Sequence, residues 1–162
     1  MDIKELQHEI IKQEELLRFE HFSNEDALEV GMLLIEEAKK RNVPVAIDII
    51  VNGYKVFRYG FQGTNPHNDM WLRRKMNTVN TVHKSSLQVF TILEQTGGNL
   101  EEDWFLDPME YACMGGGFPI YIKGTGIIGC IGVSGLPHFE DHQVIVDALC
   151  RHLKVKAMSL KC

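Results

Sequence analysis

The sequence is short of several things, and each shortage excludes a class of protein. No two of its four cysteines form a Cys-x-x-Cys pair. Cys113, Cys130, Cys150 and Cys162 are scattered, so neither zinc-ribbon spacing nor a dithiol redox motif is present, and they read as reduced thiols. Basic charge is not in excess: 17 Lys and Arg stand against 22 Asp and Glu, for a net charge of −5. Affinity for a phosphate backbone comes from a Lys/Arg surplus, so no nucleic-acid partner is expected. No apolar run approaches the ~20 residues needed to span a bilayer. The longest candidate, 119–131, is interrupted by Lys123 and glycines. The opening Met-Asp-Ile-Lys-Glu-Leu has neither the basic start nor the apolar stretch of a signal peptide. Together these point to a cytoplasmic protein without a membrane partner.

What remains is ordinary globular composition, 44% hydrophobic and 24% charged over 162 residues. That fits one domain over 1–162, with a helix at 2–20 as an N-terminal extension. Ile3, Leu6, Ile10 and Leu17 form the apolar stripe of that helix. Ser23 opens a second helix, with Asp26 as its capping-box acid and Lys39, Lys40 and Arg41 at its negative end. A Val/Ile-rich run at 43–51, Asn52-Gly53, and then 54–59 predict a β-hairpin. In its second strand Tyr54, Val56 and Arg58 should face one way, and Lys55, Phe57 and Tyr59 the other. Asn68 or Asp69 should cap a third helix carrying Trp71, Arg74 and Thr78, and Ser85 opens a fourth ending at Gly97-Gly98. The stretch 100–110 is acidic and without a base. A second hairpin, 118–122 with 127–133, precedes a last helix from Pro137 or His138. The order α-α-β-β-α-α-β-β-α predicts an antiparallel sheet flanked by helices, hence α+β.

Three features carry candidate chemistry. In Gly126–Gly135 a glycine falls at every third position of a strand, which lets a ligand or another backbone approach, or lets a helix pack closely. The run ends in Ser134-Gly135 just before a helix start, where free N–H groups favour anions. From Tyr54 to Lys84 there are six bases and one acid. On one helix face Trp71, Arg74, Lys75 and Thr78 could hold a carboxylate or phosphate, or the bases could pair with the acidic segment or a neighbouring subunit. The third feature is histidine. His138 and His142 have the four-residue spacing of a metal pair, although no third ligand is visible. His67 and His83 flank the basic helix as candidate iron ligands or acid–base groups, and Tyr111 and Cys113 are candidate pocket liners.

Gly115-Gly116-Gly117-Phe118-Pro119-Ile120, then Ile127 to Gly135, then Asp141 at the head of the last helix, resemble the haem-degrading-domain family (HbpS/GlcG-like). Trp71-x-x-Arg74-Lys75 followed by Ser85-Ser86 resembles an intracellular, largely uncharacterised subgroup of it, over about 23–155. The resemblance implies a profilin-like or PAS-like fold with an antiparallel sheet of about five strands. It also implies a homo-oligomer, a dimer or larger ring, and in some members a bound haem or other small molecule. The reading that follows is an oligomeric small-molecule-binding domain for haem or an anionic ligand. Its site would be formed by Trp71, Arg74, Lys75, Thr78, His83, Gly132, Ser134 and Gly135. A homo-oligomeric scaffold for protein partners is the alternative, and a haem-degrading enzyme the second.

Overall fold

The computed structural model describes residues 1–160, so the thiol at Cys162 lies outside the described residues. Reciprocal caps start its first two helices. Asp2 accepts from the Lys4 and Glu5 N–H groups at the head of α1 (Ile3–Leu16), and Glu5 accepts from the Asp2 N–H in return. Ser23 and Asp26 do the same for α2 (Asn24–Arg41), satisfying donors that a helix start leaves unpaired.

Strands β1 (Ala46–Val51) and β2 (Tyr54–Gly60) join through Asn52 and Gly53, both at positive φ. The expected alternation along β2 is broken by a β-bulge opposite Ile49 and Ile50, which leaves Val56 out of register. Lys55 and Arg58 therefore share a side and both reach Asp48, while Val56 and Phe57 both pack into the apolar core. Helix α3 (Pro66–Val82) starts earlier than the expected Asn68 or Asp69. Asn65 is its cap, Pro66 sits in its first turn, and Asn68 returns the hydrogen bond. Helix α4 (Ser86–Thr96) runs from the Ser85 cap to Gly97. Inside the acidic stretch lies a short helix the sequence did not announce, α5 (Leu100–Trp104), capped by Asn99. Strands β3 (Gly117–Ile122) and β4 (Gly126–Ser134) and helix α6 (His138–Leu153) complete the order.

The sheet is antiparallel throughout, in the order β2-β1-β4-β3, with helices on both faces, so the chain is α+β. It has four strands where about five were expected. Outside β3, in the place of a fifth, Phe19 alone among the described residues pairs: its N–H donates to Tyr121 O at 2.8 Å and its carbonyl accepts from the Lys123 N–H at 2.9 Å. Pro119 is compatible with β3 because β3 is an edge strand.

One face of the sheet packs on α2 and α6, where Val30, Leu34, Ile47, Ile131, Val133 and Ile145 are fully buried. The other receives α3, whose Leu72, Met76 and Val79 lie on Ala46 and Cys130. Gly132 makes that approach possible, since a Cβ there would stand 2.8 Å from Met76 Sδ and 3.0 Å from Leu72 Cδ2.

Helix α1 packs on α4 through Leu6, Ile10 and Leu87. Its Glu14 accepts from the Ser85 N–H at 3.0 Å. Burial pushes the Glu14 carboxyl up to about 7, against the opposing pull of Ser85, Lys84 and Arg18. A carboxyl raised by folding favours the native state fully below its unfolded value, and that contribution disappears as pH rises through the folded value. Urea unfolding should therefore show stability falling between pH ~5 and ~8, and Glu14→Gln should flatten that fall.

Candidate functional site

Two chambers open beside α3 and share a wall made of Trp71 and Met114. The larger, about 400 Å³, lies between α3, α4, α5 and the segment 108–114; Arg74, Phe90, Leu93, Tyr111 and Cys113 line it. The smaller, about 280 Å³, lies where the N-terminal turns of α3 and α6 meet the end of β4; Lys75, Ser134, Gly135, His138 and Asp141 line it. Cavities of this size suit small molecules.

The larger chamber exists because the segment 108–114 is tied to α3. Arg74 Nε donates to Pro108 O at 3.0 Å and Asn77 Nδ2 to Glu110 O at 2.8 Å. Thr78 Oγ1 donates to Ala112 O at 2.9 Å and accepts from the Ala112 N–H at 3.1 Å. The Arg74 guanidinium lies 4.7 Å from the Trp71 ring, a cation–π arrangement that keeps the indole upright on the partition. Glu94, Glu101 and Glu102 also line this chamber.

At the floor of the smaller chamber Lys75 Nζ donates to Asp141 Oδ2 at 2.8 Å and to Val133 O at 3.1 Å. Only 3% of Lys75 and 1% of Asp141 are exposed. Asp141 Oδ1 also accepts the Leu136 N–H at 2.9 Å, so this carboxylate is the anion at the start of α6, where Pro137 offers no side-chain cap. Burial drives both partners toward neutrality, Lys75 downward and Asp141 upward, while their mutual attraction opposes it. Gly116, at φ 114°, makes room for the pair: a Cβ there would lie 2.8 Å from Lys75 Nζ and 2.9 Å from Asp141 Cβ.

The candidates from the sequence divide accordingly. Trp71, Lys75, Ser134 and Gly135 meet around the smaller chamber, while Arg74, Tyr111 and Cys113 turn to the larger. Thr78 positions the segment 108–114, Gly132 faces α3 side chains, and His83 is exposed as the left-handed cap of α3, away from both chambers. His67 lines the smaller chamber with its ring 6.5 Å from Trp71. The basic patch is largely answered within the chain: Lys55 and Arg58 by Asp48, Arg73 by Glu110.

His138 and His142 do not converge. His138 Nδ1 accepts the Gly115 N–H at 3.2 Å, whereas His142 Nε2 pairs with Gln13 Oε1 at 2.9 Å. Burial pushes the His142 imidazole down to about 3, so it is neutral, and its Nδ1 is buried without a partner. Among the described residues no three His, Cys, Asp or Glu side chains gather closely enough to hold a metal ion.

Sequence reasoning missed Asp141 as the partner of Lys75, and Met114 as half of the partition. One signal was available: Lys75 interrupts the apolar stripe Leu72, Met76, Val79 of α3, and a lysine on a buried stripe needs an acid opposite it. Asp141→Ala would leave that ammonium buried alone. Chemical denaturation should show a loss of ~3–5 kcal/mol, and the double variant Lys75→Met/Asp141→Leu should be more stable than the single one.

Comparison with known proteins places these features. The family model for the haem-degrading HbpS-like proteins matches residues 22–150. A UPF0303 protein of Paraburkholderia phytofirmans is 43% identical over 153 residues, covering 94% of this chain and 93% of its own. The solved structure of the Ybr137w protein is 30% identical, with a TM-score of 0.82 over 91% of this chain and 87% of that one. The PduOC:heme complex shares the fold at 18% identity, with a TM-score of 0.69 over 86% of this chain and 99% of that one. A model match over most of the chain and identities above 40% along nearly its whole length are consistent with one another: the chain belongs to the HbpS-like haem-degrading protein family.

Proposed function

We propose that this chain is a small-molecule-binding domain whose ligand seats in the cleft that Trp71 divides, and that haem is the ligand of the larger chamber. The carrying observation is the partition itself, an indole braced by Arg74 and faced by Met114 between two chambers. It offers a flat apolar surface beside a fixed cation, which suits a planar molecule bearing a carboxylate.

Three side chains of that chamber carry an atom that could meet a haem iron, Tyr111, Cys113 and Met114, and Met114 already forms part of the partition. Iron takes His, Tyr, Met or thiolate ligands. Burial pushes the Cys113 thiol up, so it stays protonated and is a poor ligand. His138 belongs to the smaller chamber, and its Nδ1 accepts a hydrogen bond, which places the proton of the neutral ring on Nε2, the nitrogen an iron would need bare. Tyr111 is half-buried in the chamber wall and is the ligand this reading selects, with Arg74 to meet a propionate. Haem bound there would supply a redox-active iron, while Trp71 and Met114 would shield one side of it from water. That a relative of the same fold was solved as a heme complex supports the choice.

Titration of hemin into the purified protein should give a saturable, red-shifted Soret band at about one haem per chain, weakened or lost in Tyr111→Phe. A featureless rise without saturation would remove haem from the reading.

Self-association is a second part of the proposal, and a single-domain, cytoplasmic homo-oligomer is its form. Strand β2 is an outer strand of the sheet, and Tyr54 and Tyr59 on it are exposed, as are Leu28 and Met32 on the adjoining α2. An unpaired edge flanked by apolar side chains is a template for a second copy. No described helix is long and apolar enough to cross a membrane, and Cys113, Cys130 and Cys150 are free thiols. Light scattering at micromolar concentration should give a multiple of the 18.5 kDa chain. The double change Leu28→Glu/Met32→Glu should lower it; a monomeric wild type would sink this part.

A further inference from the structure

We propose that Lys75 is an amine nucleophile that condenses with a small aldehyde or ketone in the smaller chamber, with Asp141 as its proton partner. This does not depend on haem in the larger chamber, and it assigns the smaller one a ligand class of its own, a small carbonyl compound.

Lys75 stands in the position a Schiff-base lysine needs. Lys75 lines a chamber of about 280 Å³, and its Nζ is held beside Asp141 and Val133 O instead of projecting into bulk water. One carboxylate answers it, at 2.8 Å. An amine enclosed in this way gives up its proton more readily than an exposed one, and proximity lets Asp141 receive it. Two further features accompany the pair. A buried ion pair contributes little net stability compared with apolar packing of the same volume, yet α3 interrupts its stripe to place one here. Around the amine the chain also keeps glycine at 116, where any side chain would collide with Nζ.

The surroundings complete the case. Trp71 and Met114 wall the chamber on one side, limiting the water that would hydrolyse an imine. His67, His138 and the buried Ser134 also line it, so polar groups are at hand for a carbonyl oxygen or a substituent next to it. His138 is held neutral by burial and by the charge on Lys75.

The step balances within the pair. With the proton on Asp141, the Lys75 nitrogen attacks the carbonyl carbon with its lone pair, and the carbonyl oxygen takes the proton of the Asp141 carboxyl. The new C–N bond leaves nitrogen with one proton too many, which returns to Asp141. Asp141 then protonates the hydroxyl of the carbinolamine, and one water departs as the C=N bond forms. The protonated imine faces the Asp141 carboxylate, restoring an ion pair of the same sign pattern. No oxidant or reductant enters.

The test uses the intact chain with propanal and, separately, pyruvate, each with sodium cyanoborohydride, followed by intact-mass measurement and peptide mapping. Lys75 should be alkylated faster than any surface lysine, with saturation in the carbonyl compound at one adduct per chain. Lys75→Arg should abolish the fast phase and leave slow surface labelling unchanged. Asp141→Asn, if it folds, should slow the Lys75 adduct at least ~10-fold, since general acid–base assistance is worth that much or more. Wild-type protein alone decides the matter if the variants fail to fold. Labelling spread over Lys12, Lys40, Lys55 and Lys123 with Lys75 no faster than they are would overturn the proposal, as would an unchanged rate in folded Asp141→Asn. Faster trapping with pyruvate than with propanal would extend the class to 2-oxo acids; the reverse order would limit it to uncharged carbonyls.

Discussion

The contact on which the site depends joins α3 to α6 across the end of β4. Lys75 reaches over the sheet to Asp141, and Asp141 in turn holds the Leu136 N–H at the turn into α6. That bond ties down the turn into α6, whose first turn receives no side-chain cap from Pro137. The smaller chamber is the space left where these three elements meet. Its buried amine is held there by one ion pair made under geometric constraint. Gly116 sets that constraint by letting the chain pass within van der Waals distance of both partners.

The larger chamber has a different origin. Its outer wall is the irregular segment 108–114, which has no strand or helix of its own. Side-chain hydrogen bonds of Arg73, Arg74, Asn77 and Thr78, and a backbone bond from the Ala112 N–H to Arg74 O, hold it to α3. Such a wall is tied mainly through side chains and lacks the backbone ladder of a sheet. A narrow chamber with a buried ion pair thus lies beside a roomier one, with Trp71 common to both. That pairing is what makes a binding role the natural reading of this member of the HbpS-like family.

Much of the frame was legible because its signals are local. Asn52-Gly53 between a Val/Ile-rich run and an aromatic-rich one, Ser23 with Asp26, and Ser85 followed by Gly97 each satisfy local backbone requirements. The errors were of two kinds. Asn65 won the α3 cap from Asn68 and Asp69 because Pro66 fits the first turn and Asn68 serves better as the reciprocal partner. The β2 alternation failed because a bulge answers a packing demand: Lys55 and Arg58 share Asp48, while Val56 and Phe57 both find the core.

The sequence by itself determined all the secondary elements but α5, the α+β class, the two hairpins and the residue types available for chemistry. Those depend on spacing and on turn and cap preferences that act within about ten residues. Tertiary structure alone decided which candidates share a chamber. It parted Arg74 from Lys75, neighbours in sequence, by sending one to each side of Trp71, since successive residues on a helix point about 100° apart. It turned Gly132 toward a packed helix and left His83 in solvent. It also brought Asp141 to Lys75 across 66 positions of chain, a meeting that only the packing of α3 and α6 about β4 could produce.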